Sequence, residues 1–192
     1  MPAKPRRHKS FQIQFASDLH LEFERSPDDR LQFPVAPDTD AIVLAGDIHS
    51  DIGGMDDFVR TLAGRAPVIL VAGNHEYFTN EFESHRQALR TWAASIPDVH
   101  FLENDVVELE GMTFLGATLW SNFDRARPAL MKKATAMMSD YAVIADRTDP
   151  RGEPFQAGAR GVDLLEVLAT EPRDGRPPGR SDLDEAFSEA GG

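Results

Sequence analysis

Two short, continuous apolar runs constrain this chain more than any other feature of its sequence. The runs Ala41–Ala45 and Pro67–Ala72 contain no polar side chain, and each stops at a glycine that is followed by Asp47 or Asn74. Such runs are typical of strands that are covered on both faces of a sheet. Apolar residues at helical spacing lie between them, so the order strand, helix, strand predicts a parallel βαβ unit.

The flanking segments extend this pattern. Phe11–Phe15 alternates apolar and polar residues, which predicts a half-buried strand before the first apolar run. Gly64 suits the left-handed position that often follows a helix. A second helix is predicted to begin near Asn80, because Glu83 stands three residues later and could complete a capping box.

The rest of the chain changes character part-way. Two short strands are predicted at 105–109 and 112–116, and a Met-rich apolar face at helical spacing over 130–141 is expected to pack in the core. The following residues are rich in glycine, proline and arginine, which opposes regular structure. We therefore expect a basic disordered tail at 1–10, a folded domain at 11–145 and a mostly disordered tail at 146–192.

Charge and composition exclude several classes of protein. The chain has 20 Lys and Arg residues against 32 Asp and Glu residues, a formal net charge of −12. That balance weighs against nucleic acid and membrane surfaces as partners. No cysteine is present, which excludes thiolate metal sites and thiol nucleophiles. No apolar run approaches the roughly 18–20 residues that span a bilayer, so a cytoplasmic protein is expected.

Oxygen and nitrogen donors follow three of the predicted strands, at the point where each strand ends. Asp18 and His20 come after the first strand, and Asp47 comes after the second. Asn74 and His75 come after the third. Because the carboxyl ends of parallel strands share one edge of a sheet, these side chains are expected to converge there. Such donors suit a divalent ion such as Mn, Fe, Zn or Mg.

The local spacing of these residues agrees with a metal site. In an extended segment, Asp18 and His20 would point the same way. The glycine before Asp47 and the one before Asn74 would let the backbone turn sharply. Taken singly, Asp-x-His is usually a surface pair and Gly-Asp is usually a turn. All three clusters occur in order after apolar runs, which favours a metal site.

These clusters resemble the signature of the calcineurin-like metallophosphoesterase superfamily. The resemblance runs from about Phe11 to Tyr141. Its first three blocks are matched, in order and spacing, by Asp18-Leu-His20, Gly46-Asp47 and Gly73-Asn74-His75-Glu76. The resemblance implies an α/β fold in which a mixed β-sandwich is flanked by helices. It also implies a two-metal centre at the strand ends and a phosphate-ester substrate.

Each site residue acquires an expected role from this resemblance. Asp18 and His20 would ligate the first metal, Asp47 would bridge both metals and Asn74 would ligate the second. His75 would face the substrate as a catalytic residue. The implied reaction is hydrolysis of a phosphomonoester or phosphodiester by a metal-activated hydroxide. Neither the native metal nor the oligomeric state follows from the sequence.

The chain departs from the family pattern in its second half. The family's fourth and fifth blocks supply three further histidine ligands, whereas no histidine follows His100 here. We therefore expect a fold that is incomplete at its C-terminus, through a frameshift or a truncation, and a site that holds one metal or none. His49 is a candidate substitute ligand.

Two alternatives stand beside the phosphoesterase. The chain could be a catalytically dead fragment that acts, if at all, as a binding module, which the missing histidines favour. A nucleotide-binding doubly wound domain also fits the βαβ pattern. However, no predicted strand is followed by a Gly-x-Gly-x-x-Gly or Gly-x-x-x-x-Gly-Lys-Ser/Thr motif. The sequence therefore does not favour a nucleotide-binding domain.

Overall fold

The structure, a computed structural model, describes residues 10–26, 30–118 and 127–145, together with the backbone of 168–170. Seven strands and four α-helices lie within these ranges: β1 Ile13–Ala16, β2 Ala41–Ala45, α1 Ile52–Ala63, β3 Val68–Val71, α2 Phe82–Ala94, β4 Val99–Phe101, β5 Asp105–Leu109, β6 Met112–Gly116, α3 Pro128–Met137, α4 Asp140–Val143 and β7 Leu168–Thr170. Short 3-10 turns occupy Leu21–Phe23 and His75–Tyr77. None of the helices in these ranges could cross a bilayer.

A four-stranded parallel sheet forms the centre of the fold. Its order is β1-β2-β3-β4, and every neighbouring pair runs parallel. Leu44 pairs with Ala16 on one side and with Leu70 on the other. The strands are therefore in register at their carboxyl ends, which brings the loops after β1, β2 and β3 to one edge.

The two faces of this sheet pack against different layers. Ile42 and Leu44 of β2 lie in a buried cluster with residues of α1 and α2. Val43 of the same strand lies in a second cluster that includes Phe114 of β6. That strand belongs to an antiparallel sheet of order β5-β6-β7. Burial on both faces explains the continuous apolar runs, and the predicted α/β fold of two sheets flanked by helices is confirmed.

Two predictions about helix ends were wrong. Gly64 is right-handed at φ −69°, because its backbone N–H still makes the helical hydrogen bond to the carbonyl oxygen of Arg60, at 3.1 Å. Helix α2 begins at Phe82, near the predicted start, but the predicted capping box of Asn80 and Glu83 does not form. Its cap is Glu81, whose carboxylate accepts hydrogen bonds from the backbone N–H groups of Glu83 and Ser84 at 3.3 and 2.8 Å.

The Met-rich segment is not one helix, and its methionines are not part of the core. Met138 is extended and separates α3 from α4. The side chain of Met137 is 73% exposed, and none of the residues of α3 is buried in the structure as described. Burial returns at Asp140 and Tyr141 of α4 and at Ile144 directly after it. The segment is helical, as predicted, but of its apolar face only Tyr141 lies in the core and Ala134 is partly buried against it, whereas Met137 and Met138 are exposed.

The predicted tails lie almost wholly outside the described residues. Residues 1–9, 146–167 and 171–192 are not described. Residues 168–170 form β7, which pairs with β6. The domain limits at 11 and 145 therefore remain predictions.

Candidate metal centre

The loops that follow β1 and β2 are joined by three backbone hydrogen bonds. The N–H groups of Asp18, His20 and Leu21 donate to the carbonyl oxygens of Gly46, Asp47 and Ile48, at 3.1, 3.0 and 2.9 Å respectively. This pairing continues the parallel sheet beyond its last regular residues. It holds the first two sequence clusters side by side.

The backbone at Asp18, His20 and Asp47 is left-handed. The extended conformation that was expected for Asp18 and His20 is therefore wrong. Asp18, His20 and Asp47 have φ values of 54°, 48° and 55°. This conformation costs about 1–2 kcal/mol per residue for a side chain with a Cβ atom, and such strain clusters at functional sites. Here the hydrogen bonds between the two loops hold the strained backbone. One ligand atom from each of these three side chains lies within 4.8 Å of the others.

Glu76 ties the loop after β3 to the loop after β2. Its carboxylate accepts hydrogen bonds from the backbone N–H groups of Asp47, Ile48 and Gly73, at 3.0, 2.7 and 2.7 Å. The side chain is 1% exposed. Burial raises the pKa of Glu76, and the charge of Asp47 adds to that rise, although the backbone N–H donors oppose it. The sequence marked Glu76 only as part of a motif, with no role.

Two glycines are required here by close approach of the loops. Gly46 has a φ of +83°, and a Cβ atom on it would lie 2.8 Å from the backbone nitrogen of Gly73. A Cβ atom on Gly73 would lie 2.2 Å from Oδ1 of Asp47. The carboxylate of Asp47 therefore occupies the space that a side chain at residue 73 would fill.

Replacing Gly73 by alanine is expected to displace the Asp47 carboxylate and to weaken Mn²⁺ binding about 10- to 100-fold, the cost typical of a lost supporting contact. Calorimetric titration of the metal-free protein with Mn²⁺ measures the loss. Gly64→Ala is the control, because the nearest atoms to its added Cβ lie at 3.6 Å. Equal affinity of the two variants would show that this contact does not position Asp47.

The side-chain amide of Asn74 is held by a residue from α4. Its Nδ2 donates to Oδ1 of Asp140 at 2.6 Å, and Asp140 is only 5% exposed. Because a carboxylate accepts and does not donate, the amide nitrogen must face Asp140. The carbonyl oxygen of Asn74 is thereby turned away from α4. No local sequence pattern indicates this partner, which lies 66 residues further along the chain.

His75 is fixed on several sides. Its backbone N–H donates to Oδ1 of Asp47 at 2.9 Å. Its ring stacks on Phe78 with centroids 4.2 Å apart, and it meets the ring of His20 edge-on at 4.3 Å. Its Nδ1 lies 2.7 Å from Oε1 of Glu22. The side chain remains 20% exposed, so the ring is reachable from solvent.

Glu22 is the second carboxylate that sequence reasoning missed. Its Oε1 also lies 3.4 Å from Nδ1 of His20, and its Oε2 is buried with no hydrogen-bond partner among the described residues. Burial raises the pKa of Glu22, but hydrogen bonds from its own backbone N–H and from His75 and His20 outweigh burial. Its pKa therefore lies below the usual value. Only its place two residues after His20 could have drawn attention to it.

The donor set at this edge fits a divalent cation. Asp18, His20 and Asp47 form one group of converging ligand atoms, and His20, Glu22 and His75 form a second. Carboxylate oxygen and imidazole nitrogen are ligands for Mn, Fe and Zn. The carboxylate of Asp47 lies against Gly73, in the space that the Cβ atom of any other residue at position 73 would occupy. This close packing of a charged oxygen supports the same conclusion.

Comparison with a family model decides to which protein family this chain belongs. The model for calcineurin-like phosphoesterases matches residues 11–152. This chain belongs to that family. The family consists of metal-dependent phosphoesterases, and the resemblance drawn from the three sequence clusters is confirmed.

Two relatives of this calcineurin-like chain are informative. An uncharacterised protein, L509 of Acanthamoeba polyphaga mimivirus, is 25% identical over 146 residues, which cover 69% of this chain and 51% of that protein. The crystal structure of phosphopantetheinyl hydrolase (PptH) from Mycobacterium tuberculosis is similar with a TM-score of 0.52 and 19% identity. That match covers 72% of this chain and 56% of the hydrolase. The chain thus spans about half the length of both proteins, and the second likeness concerns the fold.

His49 does not join the converging groups of this calcineurin-like site. Its Nδ1 accepts a hydrogen bond from the backbone N–H of Asp51 at 2.8 Å. Its ring fills the space beside Gly54, where a Cβ atom would lie 2.1 Å from ring atoms. His49 therefore packs at the start of α1, and its role as a substitute ligand stays a prediction without support from this geometry.

Proposed function

We propose that this chain is a metal-dependent phosphoesterase whose site is formed by the loops after β1, β2 and β3. Asp18, His20, Asp47 and Asn74 would hold the metal, and His75 would face the substrate. One observation carries the proposal: the ligand atoms of Asp18, His20 and Asp47 lie within 4.8 Å of one another on a strained, hydrogen-bonded backbone. Membership of the calcineurin-like family supplies the chemistry.

The residues of the proposed site have different roles in phosphate-ester hydrolysis. A divalent ion held there would supply Lewis-acid charge, which polarises the phosphoryl group and lowers the pKa of a bound water. Asp18 and Asp47 provide the negative charge that retains a cation. His75 presents its ring beside this cluster, where the doubly protonated ring would donate a hydrogen bond from Nε2 to a phosphoryl or leaving-group oxygen. Phe23 is 68% exposed and lies against His75, so it offers an apolar surface to the substrate.

The substrate class is a phosphomonoester or a phosphodiester, with Mn²⁺ as the first metal to test. Purified chain, stripped with a chelator and reloaded with Mn²⁺, is assayed with p-nitrophenyl phosphate and bis(p-nitrophenyl) phosphate. We expect turnover that requires the metal and favours one of the two substrates. Absence of turnover with Mn²⁺, Fe²⁺, Zn²⁺ and Mg²⁺ would contradict the proposal and favour the binding-module alternative, to which the lack of histidine after His100 also points.

Removing Asp140 is expected to weaken metal binding through Asn74. Asp140→Ala deletes the acceptor that orients the amide, and the loss of such an outer partner costs about 10- to 100-fold in metal affinity. Asp140→Asn is the matched control, since its carbonyl oxygen can still accept from Asn74. Mn²⁺ titration of both variants measures the effect. Equal affinities in the alanine variant and the wild type would show that Asn74 is not a ligand.

A further inference from the structure

Glu22 is the carboxylate in this site for which the proposed mechanism has no use. It lies in the 3-10 turn Leu21–Phe23, directly after the left-handed residue His20. Its side chain is 14% exposed, so it points into the protein and not to solvent. Its strongest contact is the 2.7 Å hydrogen bond with Nδ1 of His75, a residue 53 positions further along the chain.

The direction of this hydrogen bond follows from the chemistry of the two groups. An ionised carboxylate only accepts, so Nδ1 of His75 must carry the proton that it donates to Glu22. In a neutral ring the other nitrogen, Nε2, then has a free lone pair, and in the protonated ring it carries a proton. In either state Nε2 is the atom that is left to meet a substrate. The hydrogen bond at Nδ1 thus decides which nitrogen does so.

The rings around His75 fix the plane of its imidazole ring. Phe78 stacks on one face at an interplanar angle of 23°, and His20 meets the ring edge-on at 70°. The backbone N–H of His75 is held by Asp47. A ring flip would remove Nδ1 from Glu22 Oε1, which would keep the longer contact to Nδ1 of His20, at 3.4 Å. Packing therefore fixes the plane of the ring, and the hydrogen bond to Glu22 selects which of its two flipped orientations is adopted.

We propose that Glu22 is the positioning residue of His75: it fixes the Nδ1–H tautomer and the ring orientation, so that Nε2 faces the substrate. This inference rests on the proposed function for its consequence in turnover, and on geometry alone for the tautomer. Carboxylates play this part for histidines in many enzymes and metal sites, where their loss costs about 10- to 100-fold in activity. The Glu22 ligand atom converges with those of His20 and His75, but in this account Glu22 would not be a metal ligand, because its Oε1 accepts the proton of His75 Nδ1.

The tautomer can be measured without any activity. Nitrogen-15 NMR of histidine-labelled, metal-free protein at about pH 9, well above the ordinary imidazole pKa of about 6.5, distinguishes protonated from unprotonated ring nitrogens. His75→Asn identifies the His75 signals by their loss. We expect the wild type to show His75 protonated at Nδ1, and Glu22→Ala to shift the population toward Nε2–H. An unchanged tautomer in Glu22→Ala would overturn the inference, whatever the activity of the chain.

Kinetic measurements test whether Glu22 affects turnover through His75. Glu22→Ala is expected to lower kcat about 10- to 100-fold with KM and Mn²⁺ affinity unchanged, and Glu22→Gln, which keeps an oxygen acceptor, should lose less. In the His75→Asn background, Glu22→Ala should cost nothing further, because the two residues act as one unit. A further loss in that background, or a fall in Mn²⁺ affinity like that of a ligand variant, would contradict the positioning role.

Controls separate this result from misfolding and from failure of the proposed function. Glu24→Ala removes a carboxylate from the same segment, where Glu24 accepts from the backbone N–H of Leu31, and it should keep the wild-type tautomer and kcat. If Glu22→Ala does not fold by circular dichroism, Glu22→Gln carries the test. If the wild type turns over no phosphate ester, the proposed function fails, while the NMR result still decides the tautomer.

Discussion

Glu76→Ala is expected to lower the free energy of unfolding by at least about 3 kcal/mol, because each buried donor that loses its acceptor costs about 1–3 kcal/mol. Three backbone N–H groups, those of Asp47, Ile48 and Gly73, lose their common acceptor in this variant. The effect should exceed that of any surface substitution, since the carboxylate links two loops of the sheet edge. Urea unfolding followed by circular dichroism measures it.

Two comparisons make the Glu76 result specific. Glu76→Gln keeps one oxygen acceptor but sets an amide N–H₂ against a backbone N–H, so it should fall between wild type and alanine. Glu108→Ala removes a glutamate from an exposed position of β5 and should change stability by less than about 0.5 kcal/mol. If Glu76→Ala unfolds as the wild type does, Glu76 is not what holds the two loops together.

Asp47→Asn is expected to abolish metal-dependent turnover, with a loss of at least about 100-fold in kcat/KM. Mutation of a residue that only contacts a metal ligand already lowers metal affinity or activity by about 10- to 100-fold, and loss of a ligand should cost more. Asparagine keeps an oxygen that can accept from the backbone N–H of His75, as Asp47 does at 2.9 Å. The substitution therefore removes charge and leaves the loop geometry in place. Mn²⁺ titration and phosphate-ester assays measure the two losses.

The metal-free fold provides a check on Asp47→Asn. Asp18 and Asp47 are like charges with ligand atoms within 4.8 Å, so neutralising one of them should leave the metal-free protein at least as stable as the wild type. Asp57→Asn makes the same charge change at an exposed position of α1 and should retain turnover. Retention of Mn²⁺ affinity in Asp47→Asn would show that the cation is held elsewhere.

The parallel sheet and the convergence of the site residues could be predicted from the sequence for a physical reason. A strand that is covered on both faces must be apolar at every position, and Ala41–Ala45 and Val68–Val71 meet that condition. Donors that directly follow such strands reach the same edge. The left-handed backbone at Asp18 and His20 could not be predicted, since it depends on hydrogen bonds to the neighbouring loop.

The residues that hold the site in shape were missed for a related reason. Glu22 and Asp140 act on residues 53 and 66 positions away, and no local pattern records those distances. Glu76 lies within a recognised motif, but its value comes from burial beneath two loops. The Met-rich face shows the opposite error, because periodicity indicates an apolar face without specifying what covers it.

The metal content of the chain tests the central claim most directly. The purified protein is loaded with Mn²⁺, desalted and analysed by plasma mass spectrometry, with Asp47→Asn treated in parallel. The proposal predicts about one ion or more per wild-type chain, and a marked loss in the variant, because metal affinity depends on the complete ligand set. Wild-type protein that retains no more Mn²⁺ than Asp47→Asn would contradict the metal centre and, with it, the phosphoesterase.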